Sequence, residues 1–187
     1  RKELDKKITE EALTQIKKNE EEDNCTTVVC QEDWHKGVIG IVASRLIENY
    51  YKPTLVFTKS GNKLAASARS VKGFDVYNAL QACTDLIEQF GGHKYAAGLT
   101  LLPENYQKFK NKFEEVVKAS LPEECKTPEI SIDTEISLSE VTPKFYRILN
   151  QMAPFGPSNM HPVFIARGLR DNGYGKQVGA DKSHLKL

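Results

Sequence analysis

Three short segments of the sequence contain residue types that can bind a phosphate. The first is Trp34-His35-Lys36-Gly37-Val38-Ile39-Gly40, which lies where a β-branched run gives way to a helical pattern. Helix N-termini present free backbone N–H groups and a partial positive charge, so glycines beside a His or Lys can bind an anion there. A structural role is equally open, in which Trp34 packs, His35 caps the helix and the glycines allow close packing on a sheet.

The second segment is Ser67-Ala68-Arg69-Ser70, at the end of a predicted strand. Side chains alternate along a strand, so Ser67 and Arg69 lie on one face, where a hydroxyl and a guanidinium can bind the same phosphate. The segment's neighbourhood contains four cations and no acid: Lys59, Lys63, Arg69 and Lys72. An excess of Lys and Arg also protects solvated edge strands from aggregation, and this alternative stays open.

The third segment is Gly91-Gly92-His93-Lys94-Tyr95-Ala96-Ala97-Gly98, between a predicted helix and a predicted strand. The two leading glycines permit strained backbone and close approach of a ligand, and His93 can donate a hydrogen bond to a phosphate or a sugar. The alternative is a glycine cap at the end of the helix, followed by an exposed His93 and a tightly packed strand.

A complete catalytic metal centre is not expected in this sequence. Two-metal hydrolysis needs clustered Asp and His ligands. No Asp-His-His cluster occurs, and the four histidines stand far apart, at positions 35, 93, 161 and 184. We therefore expect no metal ligands, no complete catalytic site and no bound cofactor in this chain.

Composition limits the classes of function. The 187 residues suffice for one generous domain, or for one domain and part of a second. Because 26 Lys and Arg balance 25 Asp and Glu, any nucleic-acid contact must be local. No apolar run approaches the roughly 20 residues of a membrane span, so no membrane partner is expected. The four cysteines form no CxxC pair, which favours reduced thiols in a cytoplasmic protein.

The elements that position these segments alternate between strands and helices, which predicts an α/β domain. A charged helix over about residues 1–22 carries a narrow apolar stripe and suits a connector. Strands are predicted at 25–31, 54–58, 63–70 and 95–101. Further helices start at Gly37, at Asp75 and at Pro103, and the second of them, with Val76, Leu80, Cys83 and Ile87 at helical spacing, is predicted to end at Gly91-Gly92.

A second domain is predicted after a linker at 122–128. Ile130, Ile132, Thr134 and Ile136 alternate with polar residues as in a half-buried strand, and Thr142-Pro143 opens a short helix. Strand-like runs follow around 163–166 and 176–179. The sequence begins at Arg1 inside a helical pattern and ends at Leu187 inside a strand-like alternation, which indicates a segment of a longer protein.

In order and spacing, WHKGVIGIVASRL (34–46), SARS (67–70) and GGHKYAAG (91–98) resemble the three motifs of a DHHA1 domain. That domain follows a metal-binding DHH domain in a superfamily of RecJ exonucleases and of short-oligonucleotide and cyclic-dinucleotide phosphodiesterases. A related module occurs in alanyl-tRNA synthetases. APFGPSNMHPVF (153–164) resembles the start of the OB domain that RecJ proteins add, which favours a RecJ-type single-stranded-DNA-specific exonuclease over those alternatives.

The resemblance implies a fold and domain limits. We expect a connector helix at 1–24, an α/β DHHA1 substrate-binding domain at 25–122 with a mixed sheet flanked by helices, and a partial OB-type β-barrel at 123–187. The partners implied are single-stranded DNA with a 5′ end and an upstream DHH domain. That domain would hold Mn²⁺ or Mg²⁺ and cleave in the 5′-to-3′ direction, in the service of DNA repair and recombination.

The resemblance also implies site residues. Ser67 and Arg69 would hold a phosphate near the 5′ end, while Gly91, Gly92 and His93 would face the scissile nucleotide, with His93 as a candidate assistant in catalysis. His35 would be a neighbour of this site. One departure from the family pattern is Ala68, where a glycine is the more usual residue.

Overall fold

The structure is a computed structural model that describes residues 2–170, 173–179 and 182–186. Arg1 and Leu187, on which the expectation about the chain's ends rested, lie outside these residues. The chain divides into two compact units, Arg1–Pro128 and Glu129–Leu187. None of the described helices is long and apolar enough to cross a membrane.

The first unit contains a five-stranded mixed sheet in the order β1-β2-β3-β5-β4. Its strands are β1 (Thr27–Cys30), β2 (Thr54–Ser60), β3 (Lys63–Arg69), β4 (Gln89–His93) and β5 (Ala96–Leu101). β1 and β2 are parallel, and all other pairs are antiparallel. Its helices are α1 (Lys2–Lys18), α2 (Ile39–Tyr50), α3 (Val76–Gln81) and α4 (Tyr106–Ser120), with short 3-10 turns at Thr84–Leu86, Pro103–Asn105 and Glu123–Cys125. This confirms the predicted mixed α/β fold.

One face of the sheet is covered by α3 and α4. Phe57 of β2 contacts Phe109 of α4 edge to face, with 5.7 Å between ring centroids, and Phe109 stacks on Phe113. All three side chains are fully buried. The core therefore lies mainly between this face and the two helices, and burial of such aromatic area is the dominant stabilising contribution.

The opposite face is covered over only part of its width. The apolar stripe of α1, formed by Ile8, Ala12 and Ile16, is buried in a cluster with α2, Trp34 and Val56 of β2. On the same face, further across the sheet, Gly98 of β5 and Gln89, Gly91 and His93 of β4 are exposed. The stripe thus packs within the first unit, and an open strip of sheet remains beside α2.

The predicted helix ending at Gly91-Gly92 is wrong. α3 ends at Gln81, and both glycines lie inside the edge strand β4, which pairs with β5. The spacing of the apolar residues Leu80, Cys83 and Ile87 matches the period of a helix, although the three do not lie in one helix. Backbone pairing with β5 supplies hydrogen bonds along the whole of β4, so tertiary context overrides the local pattern.

The second unit contains short elements. They are β6 (Thr134–Glu135), α5 (Pro143–Asn150), β7 (Phe164–Ile165), β8 (Lys176–Val178) and β9 (His184–Lys186), with a 3-10 turn at Leu138–Glu140. Thr142 accepts a hydrogen bond from Phe145 N and Pro143 follows it, as predicted for the start of α5. β6 pairs with β7 and β8 with β9, and the described residues form no closed barrel. The strand predicted from Ile130 is shorter than expected, since Ile130 and Ile132 are exposed and pairing begins at Thr134.

Two thiols, the partly buried Cys30 and the buried Cys83, predict how the stability of the first unit changes with pH. Burial raises the pKa of Cys30 to about 11, with Glu32 acting in the same direction, and burial likewise raises the pKa of Cys83 to about 11. An exposed thiol has a pKa of about 8.5, so the unfolded chain loses these protons first. We expect the urea midpoint to fall as pH rises from about 8.5 towards about 11. Cys83→Ala should reduce this fall, and a midpoint that rises with pH would contradict the prediction.

Candidate nucleic-acid interface

The strand register brings the second and third segments onto one face of the sheet. Directly paired residues in antiparallel strands point to the same side. One row across β3, β5 and β4 therefore consists of Ser67, Gly98 and Gly91, and the adjacent row consists of Arg69, Ala96 and His93. Both rows lie on the face that α2 covers only in part. Ser67, Arg69, Gly91 and His93 thus share one open surface.

Arg69 is held in place by its own strand. Its Nη1 donates hydrogen bonds to Ser67 Oγ at 3.0 Å and to the Ala68 carbonyl oxygen at 2.8 Å. The side chain is half-buried, and no carboxylate of the described residues lies within ion-pair distance of it. A positioned guanidinium without an acidic partner is suited to bind an anion, because its charge is not neutralised internally.

The first segment meets the second through Gly40. A Cβ atom at this position would lie 2.9 Å from Arg69 Nη2 and 3.1 Å from Ser67 Oγ. Gly40 therefore allows the first turn of α2 to approach the arginine and serine closely. The N-cap residue, Val38, makes no side-chain capping bond, so the helix start presents backbone N–H groups and a partial positive charge on this side.

A groove of about 470 Å³ runs between the start of α2 and the end of β3, and we call it the phosphate groove. Ser67 and Arg69 form one side, and residues 36–44 of the first segment and α2 form the other. Hydroxyl, guanidinium and helix N-terminus converge on this volume, and each of these groups favours a bound anion.

Trp34 and His35 of the first segment make hydrogen bonds within the protein. Trp34 is buried and its Nε1 donates to Glu11 Oε2 at 2.8 Å. His35 accepts a hydrogen bond from Gly37 N at its Nδ1, 3.0 Å away, and it is not among the described residues that line the phosphate groove. The structure therefore places His35 beside the groove, in the loop that leads into α2.

The glycines of the third segment divide into two kinds. Gly92 has φ +150°, and a Cβ there would lie 2.3 Å from the Ala96 carbonyl oxygen, so the backbone itself requires glycine. Gly91 and Gly98 form a direct cross-strand pair. A Cβ at Gly91 would meet no atom within 4 Å, and one at Gly98 only the Ala66 carbonyl oxygen at 3.8 Å. Packing does not explain these two glycines, whose bare backbone permits close approach of a ligand.

His93 lies at the end of β4 and is exposed to solvent. Its Nδ1 accepts a hydrogen bond from Tyr95 N at 3.3 Å. In the neutral ring, an accepting Nδ1 places the proton on Nε2, which can then donate to a ligand. The arrangement suits a hydrogen bond to a phosphate or sugar oxygen above the row that contains Arg69.

The cation cluster expected around Arg69 is partly neutralised. Lys59 pairs with Glu32 at 2.9 Å and Lys63 pairs with Glu88 at 3.1 Å. Both acids come from parts of the chain that are remote in sequence. Two cations, Arg69 and Lys36, line the phosphate groove itself.

The described part of the chain does not fit a catalytic metal centre. It contains no group of three or more His, Cys, Asp or Glu side chains close enough to hold a metal ion. The chemistry that these residues can supply is binding and positioning of a phosphorylated ligand.

The fold and this surface together define an α/β domain with an arginine–serine pair and a glycine strip, formed by Gly91 and Gly98, on an open sheet face. The chain belongs to the DHHA1 domain family, whose family model matches residues 22–119. The family model of the RecJ OB domain matches residues 132–187.

The relatives are RecJ proteins. The chain is 32% identical over 184 residues to the single-stranded-DNA-specific exonuclease RecJ of Bacillus subtilis, covering 97% of this chain and 23% of that protein. It is 31% identical over 172 residues to RecJ of Escherichia coli, covering 88% and 30%. The structure of RecJ from Thermus thermophilus in complex with Mn²⁺ matches with a TM-score of 0.80 and 25% identity over 96% of this chain and 26% of that one.

These matches confirm the resemblance drawn from the three motifs. The chain spans about a quarter of the length of the relatives it matches. It is homologous to the C-terminal region of RecJ exonucleases, and the DHH domain is not part of these 187 residues.

Sequence reasoning missed two residues of this surface. The individual site residues predicted from the sequence do not include Gly40, although it is the residue that lets α2 approach Arg69. They do not include Gly98 either, although it pairs with Gly91. The alternation of side chains along β5 could have indicated Gly98. It points to the same side of the sheet as Ala96 and lies between the buried Ala97 and Leu99.

Proposed function

We propose that this chain is the substrate-binding portion of a single-stranded-DNA-specific 5′-to-3′ exonuclease. Its parent protein hydrolyses phosphodiester bonds with two Mn²⁺ or Mg²⁺ ions held in a DHH domain outside these residues. The observation that carries the proposal is the Arg69 guanidinium, fixed by Ser67 and approached by the start of α2, without an acidic partner in the described chain. The names and sequences of the RecJ relatives support it.

In this proposal Arg69 and Ser67 bind one phosphate near the 5′ end of the strand. Partial burial of the guanidinium strengthens the contact, because electrostatic interactions are stronger where water is partly excluded. The bare backbone at Gly91 lets the scissile nucleotide approach β4, and His93 Nε2 donates to it. Gly92 sets the backbone conformation of β4, the strand that contains Gly91 and His93. His35 lies next to the phosphate groove, in the loop that leads into α2.

The roles of the larger regions follow from the same proposal. Residues 25–122 form the DHHA1 substrate-binding domain, residues 123–187 contribute part of an OB domain, and residues 1–24 lead in from the DHH domain. The matched ranges 22–119 and 132–187 support this division. Cytoplasmic DNA repair and recombination is the setting that we propose for the parent enzyme. The RecJ OB match favours an exonuclease over a short-oligonucleotide phosphodiesterase or a synthetase module.

The test compares this chain with the longer protein that contains it. We expect the longer protein, with Mn²⁺, to degrade 5′-phosphorylated single-stranded DNA, and to leave duplex DNA and a short RNA largely intact. The 187-residue chain should bind the single strand without cleaving it, since the described residues hold no metal-binding cluster. Cleavage by the chain alone, or inactivity of both proteins, would contradict the proposal.

A further inference from the structure

A second groove continues from the phosphate groove across β5 and β4. It has a volume of about 480 Å³, and its lining includes Lys36, Ala66, the glycine pair Gly91 and Gly98, and the side chains Gln89 and Thr100. Lys36 and Ala66 also line the phosphate groove. The two grooves are therefore adjacent, with Lys36 at their boundary, and we call the second one the strand groove.

Lys36 is the cation that the two grooves share. Its side chain is exposed, and its Nζ contacts the Ser60 hydroxyl at 3.3 Å. No Asp or Glu of the described chain forms an ion pair with it. Since Ser60 is neutral, the positive charge of Lys36 is available to a phosphate that lies between the two grooves.

Gln89 and Thr100 supply neutral polar groups at the far end of the strand groove. They form the direct cross-strand pair next to Gly91 and Gly98, on the same face of the sheet. Two residues along a strand correspond to about 6.7 Å, so this pair lies about that distance beyond the glycine strip. Within the described part of the chain, neither side chain makes a hydrogen bond, so an amide and a hydroxyl face the groove with free capacity.

We propose that the strand groove is a second nucleotide subsite, which binds the nucleotide next to the one held at Arg69. Lys36 binds the phosphate that links the two nucleotides, and Gln89 with Thr100 hydrogen-bonds the sugar and base of the second one. The proposal rests on the proposed function, because the phosphate groove defines where the strand begins. It implies that the chain prefers strands of at least two nucleotides to a mononucleotide.

Contacts made by the charged Lys36 and by the neutral Gln89 should depend differently on salt concentration. For single strands, the slope of log binding constant against log salt concentration is about −0.7 for each phosphate contacted. Lys36→Ala should therefore make this slope less steep by about 0.7. Gln89→Ala should weaken binding and leave the slope unchanged, because it removes no phosphate contact. Both side chains are exposed, so both variants should fold.

The experiment measures binding of 5′-phosphorylated oligothymidylates by this chain, with thymidine 5′-monophosphate as the single-nucleotide ligand. We expect Lys36→Ala to weaken oligonucleotide binding about fivefold at low salt, as for an exposed ionic contact, and to weaken monophosphate binding by no more than about twofold, because Arg69 and Ser67 hold that phosphate directly. The matched control is Lys108→Ala, an exposed lysine on α4, which packs against the opposite face of the sheet. It should bind both ligands like the unmodified chain.

Two results would overturn the subsite. One is Lys36→Ala behaving like Lys108→Ala towards oligonucleotides, and the other is an equal loss for the monophosphate and the oligonucleotide. Arg69→Ala, measured in the same series, separates this failure from a failure of the proposed function. If Arg69→Ala weakens both ligands while Lys36→Ala weakens neither, only the second subsite is wrong. If Arg69→Ala has no effect on either ligand, the proposed function itself is wrong.

Discussion

Arg69→Ala is expected to weaken binding of 5′-phosphorylated single-stranded DNA by about 10- to 150-fold. This corresponds to the loss of about 1.5 to 3 kcal/mol, the usual contribution of a hydrogen bond to a charged group. The expectation is large because the guanidinium is half-buried, is held by Ser67 and Ala68, and has no carboxylate partner among the described residues. A bound phosphate would therefore be the main negative charge that interacts with the Arg69 guanidinium.

The measurement is fluorescence anisotropy with a labelled oligonucleotide over a range of salt concentrations. Arg69→Ala should also make the salt slope less steep by about 0.7, since one phosphate contact is lost. Arg69→Lys should recover part of the affinity, because it restores the charge and loses the planar fork that can bind two phosphate oxygens. Lys108→Ala serves as the charge control, and its thermal midpoint and that of each variant are compared by circular dichroism. Equal affinities for Arg69→Ala and the unmodified chain would refute the phosphate assignment.

Gly91→Val and Gly92→Ala are expected to have opposite consequences, although the two glycines are neighbours. At Gly91 a Cβ meets nothing within 4 Å and the backbone is ordinary extended strand, so valine fits the fold and projects into the strand groove. We expect stability to change by less than about 1 kcal/mol, in the range of strand propensity effects. Binding of single-stranded DNA should fall at least about tenfold, because displacing a strand from its contacts costs more than about 1.4 kcal/mol.

Gly92→Ala should instead unfold the edge of the sheet. The new Cβ would lie 2.3 Å from the Ala96 carbonyl oxygen and 2.5 Å from Ala97 Cα, and both are backbone atoms that cannot move aside. Together with φ +150°, this predicts a loss of about 2 to 4 kcal/mol in the free energy of unfolding. Urea denaturation measures the loss. A Gly92→Ala variant as stable as the unmodified chain would contradict the requirement for glycine at this position. A Gly91→Val variant with unchanged affinity for single-stranded DNA would show that the DNA does not pass over Gly91 and Gly98.

Several features of the fold and of the site were predictable because they depend on residues close together in the chain. The shared face of Ser67 and Arg69 follows from the alternation of any strand. The start of α5 at Thr142-Pro143 follows from local capping chemistry, which the structure confirms. The three motifs also kept their order and spacing, which is why the family could be inferred before the fold was known.

The helix predicted up to Gly91-Gly92 shows where local patterns fail. The apolar residues from Val76 to Ile87 satisfy a helical period, yet α3 stops at Gln81. The backbone groups of β4 find their partners in β5, and a periodic pattern contains no information about that pairing. An edge strand with exposed glycines also lacks the β-branched residues that normally signal a strand.

The sequence by itself determined the α/β class, the family and the residue types that can bind a phosphate, since these depend on composition, periodicity and short motifs. Only the tertiary structure decided which of those residues act together. It paired Lys59 with Glu32 and Lys63 with Glu88, leaving Arg69 without an acid in the described chain. It also brought Gly40 to Arg69, because packing and strand register join residues that are far apart along the chain.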